Sequence, residues 1–181
     1  MFIHSKKALK FAGQKIMGES LLEQFEGSDG RRRLIKALTA QPLIRNQNLA
    51  VAVARRVNLE AVLAGTKLMQ QGASGSDLFL ILDGAFSVVT NGRIVAHLKA
   101  GEHVGEMSVV DPEMPRSASV TATSDSVVAR ITEPDFSALA ERFPQLWRRI
   151  ALQLAGRLRQ GNGVDRGRES GARRLDNLIG F

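Results

Sequence analysis

The chain has 181 residues, 44% hydrophobic and 24% charged, which leaves room for one domain with a sizeable core plus extensions and excludes disorder throughout. It contains no Cys, so disulfides, thiolate catalysis and Cys-ligated zinc are excluded. No apolar run approaches the ~18 residues of a membrane span, and Met1 to Ser20 is basic without a continuous apolar core, so no membrane or secretory segment is expected and the cytoplasm is the expected location.

The net charge of +7 is unevenly spread. Residues 1–56 hold 11 Lys or Arg against 4 Asp or Glu, residues 57–133 hold 5 against 9, and residues 134–181 hold 9 against 5. The middle is acidic and has only Phe79 and Phe86 as aromatics, so a nucleic-acid-binding barrel is disfavoured. The positive charge belongs to the flanks.

Along residues 1–28, basic and apolar positions alternate, with Ile3, Ala8, Leu9, Phe11, Ala12 and Ile16 readable as one helical face. Residues 1–29 are expected to form a helical or flexible extension. From Gly30, the run Arg31-Arg32-Arg33-Leu34-Ile35-Lys36-Ala37-Leu38 predicts a helix ending near Gln41-Pro42, and Asn48 to Arg56 predicts a second. Arg31 to Arg33 is read first as a solvated face or the dock of an acidic partner.

The period then changes to two. Gly65, Gly72, Gly75, Gly84, Asn91-Gly92 and Gly101 separate short runs of strand formers, a pattern that predicts an all-β barrel. Strands are predicted at Leu59–Ala64, Lys67–Gln71, Leu78–Leu82, Phe86–Thr90, Arg93–Leu98, Ser119–Thr123 and Val127–Ile131. Asn91-Gly92 predicts a type I′ hairpin, because both positions tolerate positive φ.

Between the last two groups of strands lies Val104-Gly105-Glu106-Met107, followed after a short stretch by Pro115-Arg116-Ser117-Ala118. It places a carboxylate and a guanidinium at opposite ends of a loop. Arg116 offers a fork of donors that matches a phosphate, and Glu106 offers acceptors for a sugar hydroxyl. A lone arginine is ordinarily a surface ion-pair residue; the case for Arg116 rests on Gly105-Glu106 before it and on the small Ser117-Ala118 after it.

Beyond the strands, Glu133-Pro134-Asp135-Phe136 opens a helix to about Arg142, and Pro144 starts another that continues through Gln160. Leu146, Trp147, Ile150, Leu154 and Leu158 give the second an apolar face. Residues 161–181 read as a flexible basic tail.

The Gly105-to-Ala118 segment resembles the phosphate-binding cassette of the cyclic-nucleotide-binding domain, the module of catabolite-activator-type regulators, cyclic-nucleotide-dependent kinases and gated channels. The run Gly72 to Gly84, a glycine turn, a hydrophobic strand and a glycine, resembles the family's second marker. The resemblance covers about residues 30–160. It implies a mainly β fold with flanking helices: a jelly-roll-like β-barrel with N-terminal helices and C-terminal lid helices.

It also implies that Glu106 binds a ribose hydroxyl, that Arg116 binds the cyclic phosphate, and that Gly105, Met107, Ser117 and Ala118 supply backbone or hydroxyl contacts. Val104 stands where an aromatic is usual, and Ser117 where Ala or Thr is commoner. Val104, His103 and Trp147 are candidate pocket or lid residues, although a core role is the commoner one for His103 and Trp147. The cassette and the Phe143-Pro144-Gln145-Leu146-Trp147 run are also similar to sensor domains of bacterial anti-phage effectors that respond to cyclic pyrimidine nucleotides. There the sensor precedes a TIR domain or accompanies a membrane segment.

His4, His97 and His103 lack the closely spaced His-x-His and Glu of a cupin, so no metal is expected. No nucleophile with a base stands out, so the expectation is a binding module rather than an enzyme. Its expected ligand is a 3′,5′-cyclic mononucleotide, cUMP or cCMP by the narrower resemblance and otherwise cAMP or cGMP. No cofactor is expected. The expected output is movement of the C-terminal helices, with a homodimer and a separate effector as partners. The alternatives are an interaction module with a degenerate pocket, or the regulatory fragment of a transcription factor lacking its DNA-binding domain.

Overall fold

The computed structural model describes residues 17–157 and residue 159. The Ile3–Ile16 helical face, His4, Leu158 and the tail fall outside the described residues. The chain divides into two compact units at the Phe143–Pro144 boundary.

In the first unit, residues 17–23 are helical and a second helix runs Gly27–Ala40, beginning three residues before the expected start. Gly30 lies inside it, and only glycine fits there, because a Cβ would stand 2.1 Å from the Phe25 carbonyl carbon. The next helix is Gln47–Val53, capped by the Asn46 side chain, which accepts from the Leu49 amide at 3.0 Å. Gln41, fully buried between them, donates from Nε2 to the Ile81 carbonyl at 2.9 Å and so ties the helical flank to the sheet.

Eight strands follow: β1 Asn58–Val62, β2 Lys67–Met69, β3 Leu78–Asp83, β4 Ala85–Thr90, β5 Arg93–Lys99, β6 His103–Val104, β7 Ser119–Ala122 and β8 Ser126–Ile131. They form two four-stranded sheets, ordered β1-β8-β3-β6 and β2-β7-β4-β5, with every pairing antiparallel. This is the expected mainly β, jelly-roll-like fold with flanking helices, and among the described residues no ladder joins one sheet to the other, so the strands form a sandwich of two sheets. The chain changes sheet just after β1. The Ala64 amide donates to Asp125 Oδ1 at 2.8 Å and Gly65 donates to the Ala122 carbonyl at 2.8 Å, which ends β1 at Val62 instead of Ala64.

Alternation along the strands builds the core. Phe79 and Ile81 of β3 join Val62, Met69, Phe86, Leu98, Val104, Val120, Ala122 and Val128 in one cluster between the sheets. Full burial of a side chain such as Phe86 stabilises by about 1.5–3 kcal/mol. The other face of β3, Leu78, Leu80 and Leu82, is buried as well, and the Gly27–Ala40 helix lies against this strand. Asn91 and Gly92 have φ of 50° and 75°, and Thr90 pairs with Arg93, which gives the expected two-residue hairpin. The Glu133–Arg142 helix closes the unit, with Thr132 Oγ1 accepting from the Asp135 amide at 3.3 Å.

In the second unit, residues 145–157 are helical.

Candidate functional site

The segment between β6 and β7 is not one loop. Gly105, at φ 93°, turns the chain out of β6 into a short helix, Glu106–Val110, and an irregular stretch then leads to Arg116. An L side chain rarely adopts that φ, and glycine does so at no steric cost. Glu106 is the first helical residue and is only 2% exposed; Ser108 is buried and Met107 is half exposed.

Arg116 is 6% exposed. Its backbone is clasped to the turn ahead of β3: its amide donates to the Ala73 carbonyl at 2.9 Å, and its carbonyl accepts from the Gly72 amide at 2.9 Å. The side chain then reaches the start of β3, where NH1 donates to the Asp77 carbonyl at 2.8 Å and the guanidinium carbon stands 5.9 Å from the centre of the Phe79 ring.

Two glycines make this approach feasible. A Cβ on Gly75 would lie 3.3 Å from Arg116 Nε and NH2, and one on Gly105 would lie 2.9 Å from NH1 and 2.5 Å from the Asp77 carbonyl oxygen. The guanidinium is thus slotted between two glycine backbones, and the one at Gly105 leads directly into Glu106.

Burial pushes the Arg116 pKa down, and the negative charge of Asp77 opposes that shift. An arginine starts so far above neutrality that the group remains a cation. Asp77 also anchors the site from beneath through its carboxylate, whose Oδ2 is 3.4 Å from Arg130 NH1, while Arg130 Nε meets Glu60 Oε1 at 2.8 Å. A buried guanidinium held by a carbonyl dipole and an aromatic face has the charge and the fork to take an anion.

The structure brings Gly105 to Arg116, and Glu106 follows in the chain. Ser117 is exposed and Ala118 is buried. Val104 packs in the core cluster beside Phe79, its partner in β3. His103, one residue earlier and opposite Leu80, is buried on the other face of β6. Trp147 belongs to the second unit, at 39% exposure. Sequence reading missed Asp77, Phe79 and Arg130 as supports of Arg116. The Gly72–Gly84 run contains the first two, but nothing in the sequence marks Arg130. Among the described residues no three His, Cys, Asp or Glu side chains group as metal ligands, and no helix is long and apolar enough to cross a membrane.

Residues 59–143 match the family described as "Cyclic nucleotide-binding domain". The chain is 43% identical over 143 residues to the Pycsar effector protein XpPycTIR of Xanthomonas perforans, an overlap of 78% of this chain and 47% of that protein. It therefore spans about half the length of such curated relatives. Among solved structures it resembles the catabolite activator protein of Thermus thermophilus, with TM-score 0.62 and 29% identity over 67% of this chain and 60% of that one. It also resembles a cyclic nucleotide-binding domain from Methylobacillus flagellatus, with TM-score 0.57 and 25% identity over 83% of this chain and 85% of that one.

Proposed function

We propose, from the premise that residues 59–143 belong to the cyclic nucleotide-binding domain family, that the chain is the sensor of a cyclic mononucleotide signal in anti-phage defence. Arg116 and the cassette backbone from Gly105 to Met107 take the cyclic phosphate, Glu106 takes the ribose hydroxyl, and Ser117 and Ala118 complete the contacts. The ligand is cUMP or cCMP, in keeping with the relatives named Pycsar effectors. The sensor domain extends over residues 30–160, with residues 1–29 and 161–181 as appendages.

One observation carries the reading: Arg116 is a buried residue whose guanidinium sits in a slot between Gly75 and Gly105. Burying a cation costs several kcal/mol unless its charge is compensated, and an arriving phosphate supplies the compensation. Occupancy favours one arrangement of the cassette and biases the helix over residues 145–157, which passes the signal to an effector. The domain acts as a binding module rather than a catalyst. A homodimer through residues 144–160 is part of the same proposal, and a monomeric mass by light scattering with and without ligand would refute it.

The test of the ligand is calorimetric titration of the chain with cAMP, cGMP, cCMP and cUMP, alongside Arg116→Glu. Binding of a cyclic pyrimidine nucleotide, abolished by the substitution, is expected. Preference for a purine would refute the pyrimidine assignment. Failure of all four would refute the sensor reading and leave an interaction module.

A further inference from the structure

Between Gly30 and Val57 the sequence has seven Lys or Arg and no Asp or Glu, and all seven cations are exposed. This stretch is the helical flank, and the sensing mechanism makes no use of it. One face of the Gly27–Ala40 helix, with Arg32, Ile35, Lys36, Thr39 and Ala40 at the spacing of successive turns, lines an open groove of about 520 Å³ that Gln47 closes from the next helix. The opposite stripe, Leu34 and Leu38, is buried in the fold. The groove therefore has two cations one helical turn, about 5.4 Å, apart, flanked by the aliphatic side chains of Ile35 and Ala40.

We infer that this groove docks an acidic amphipathic helix of a partner protein, with apolar side chains against Ile35 and Ala40 and carboxylates on Arg32 and Lys36. Charge complementarity selects this occupant. A second copy presenting the same face would set Arg32 and Lys36 against the same two cations. A nucleic acid has no aliphatic side chains to set against Ile35 and Ala40. It would also find no aromatic to stack on, because Phe25, the sole aromatic between residues 17 and 57, is buried. Asp29 pairs with Arg32 across one turn and holds that site in the empty state. A partner carboxylate competes with it, so Asp29 sets the affinity. The Arg32 side chain is 79% exposed, so the exchange requires no rearrangement of the core.

The experiment is fluorescence anisotropy of the full chain with three probes: a labelled 18-residue peptide with Leu along one helical face and Glu elsewhere, the same peptide with each Leu replaced by Gln, and a 20-base-pair DNA duplex. The Leu/Glu peptide is expected to bind most tightly and to weaken as salt rises. Arg32→Glu with Lys36→Glu should weaken it about tenfold or more at an unchanged melting temperature, and Asp29→Asn should tighten it about threefold. Equal affinity for the Gln peptide, tighter binding of the duplex, or indifference to the double substitution would each overturn the proposal. Sedimentation velocity supplies the remaining arm: self-association abolished by the double substitution would assign the groove to a second copy and overturn it too.

Discussion

Replacing Gly105 with Ala tests the slot around Arg116 most directly. The added Cβ would stand 2.5 Å from the Asp77 carbonyl oxygen and 2.9 Å from Arg116 NH1, the acceptor and donor of one hydrogen bond. Both must retreat. A left-handed backbone costs an L residue roughly 1–2 kcal/mol, partly offset by about 0.4–1 kcal/mol because Ala restricts the unfolded chain. Losing a buried hydrogen bond from a charged donor adds about 1.5–3 kcal/mol. The expected loss is about 3 kcal/mol, against a total of roughly 5–15 kcal/mol for a domain.

At about 2–4 °C per kcal/mol for a chain of this size, the melting temperature should fall by roughly 6–12 °C. Gly101→Ala is the matched control. Its φ is 92°, almost that of Gly105, but a Cβ there meets nothing within 4 Å. It should cost about 1 kcal/mol or less and leave nucleotide affinity intact, whereas Gly105→Ala should weaken affinity at least tenfold by displacing the guanidinium. Scanning calorimetry and titration measure the two. Equal melting shifts for the two variants, with equal affinities, would refute the slot.

Arg116→Lys keeps the charge and loses the planar fork, so calorimetric affinity for the nucleotide should fall by roughly 10- to 100-fold; an unchanged affinity would mean that Arg116 acts as a point charge. Arg130→Gln removes two ion pairs from a side chain about one-third exposed. Solvent screening limits the stability cost to about 1 kcal/mol in urea unfolding, with nucleotide affinity reduced only severalfold because the Asp77 backbone carbonyl stays in place. A loss as large as that of Arg116→Glu would make the Arg130 pair part of the site itself. Asn46→Ala deletes the cap on the Gln47–Val53 helix and should cost about 1 kcal/mol in the same assay, without affecting ligand binding.

The sandwich was legible because short runs of strand formers separated by glycines are strong local signals: β3, β4, β5 and β8 lie within a residue of expectation at each end. The hairpin at Asn91-Gly92 followed from the φ both residues tolerate. The cassette was legible as a motif and misread as structure. A two-residue strand such as His103–Val104 and a five-residue helix such as Glu106–Val110 are shorter than any periodic pattern can reveal. The jelly-roll-like architecture was legible, but whether its outer strands meet was not, since strand count does not decide it; among the described residues the two sheets stay unjoined. The anchor of Arg116 was invisible because it is a main-chain carbonyl, a group every residue carries. Strand β2 stopped at Met69 where Gln71 had been expected, because the Gln71 amide is taken by the Ser119 hydroxyl at 2.9 Å and not by a ladder partner.

The two main-chain bonds that join Arg116 to Gly72 and Ala73 have a consequence for amide exchange with solvent deuterium. The amides of Gly72 and Arg116 are the two halves of one latch, so neither is released without opening the other. They should exchange with a common opening free energy, as one small cooperative unit. Under the proposed function, a bound cyclic nucleotide would slow the exchange of both amides in parallel.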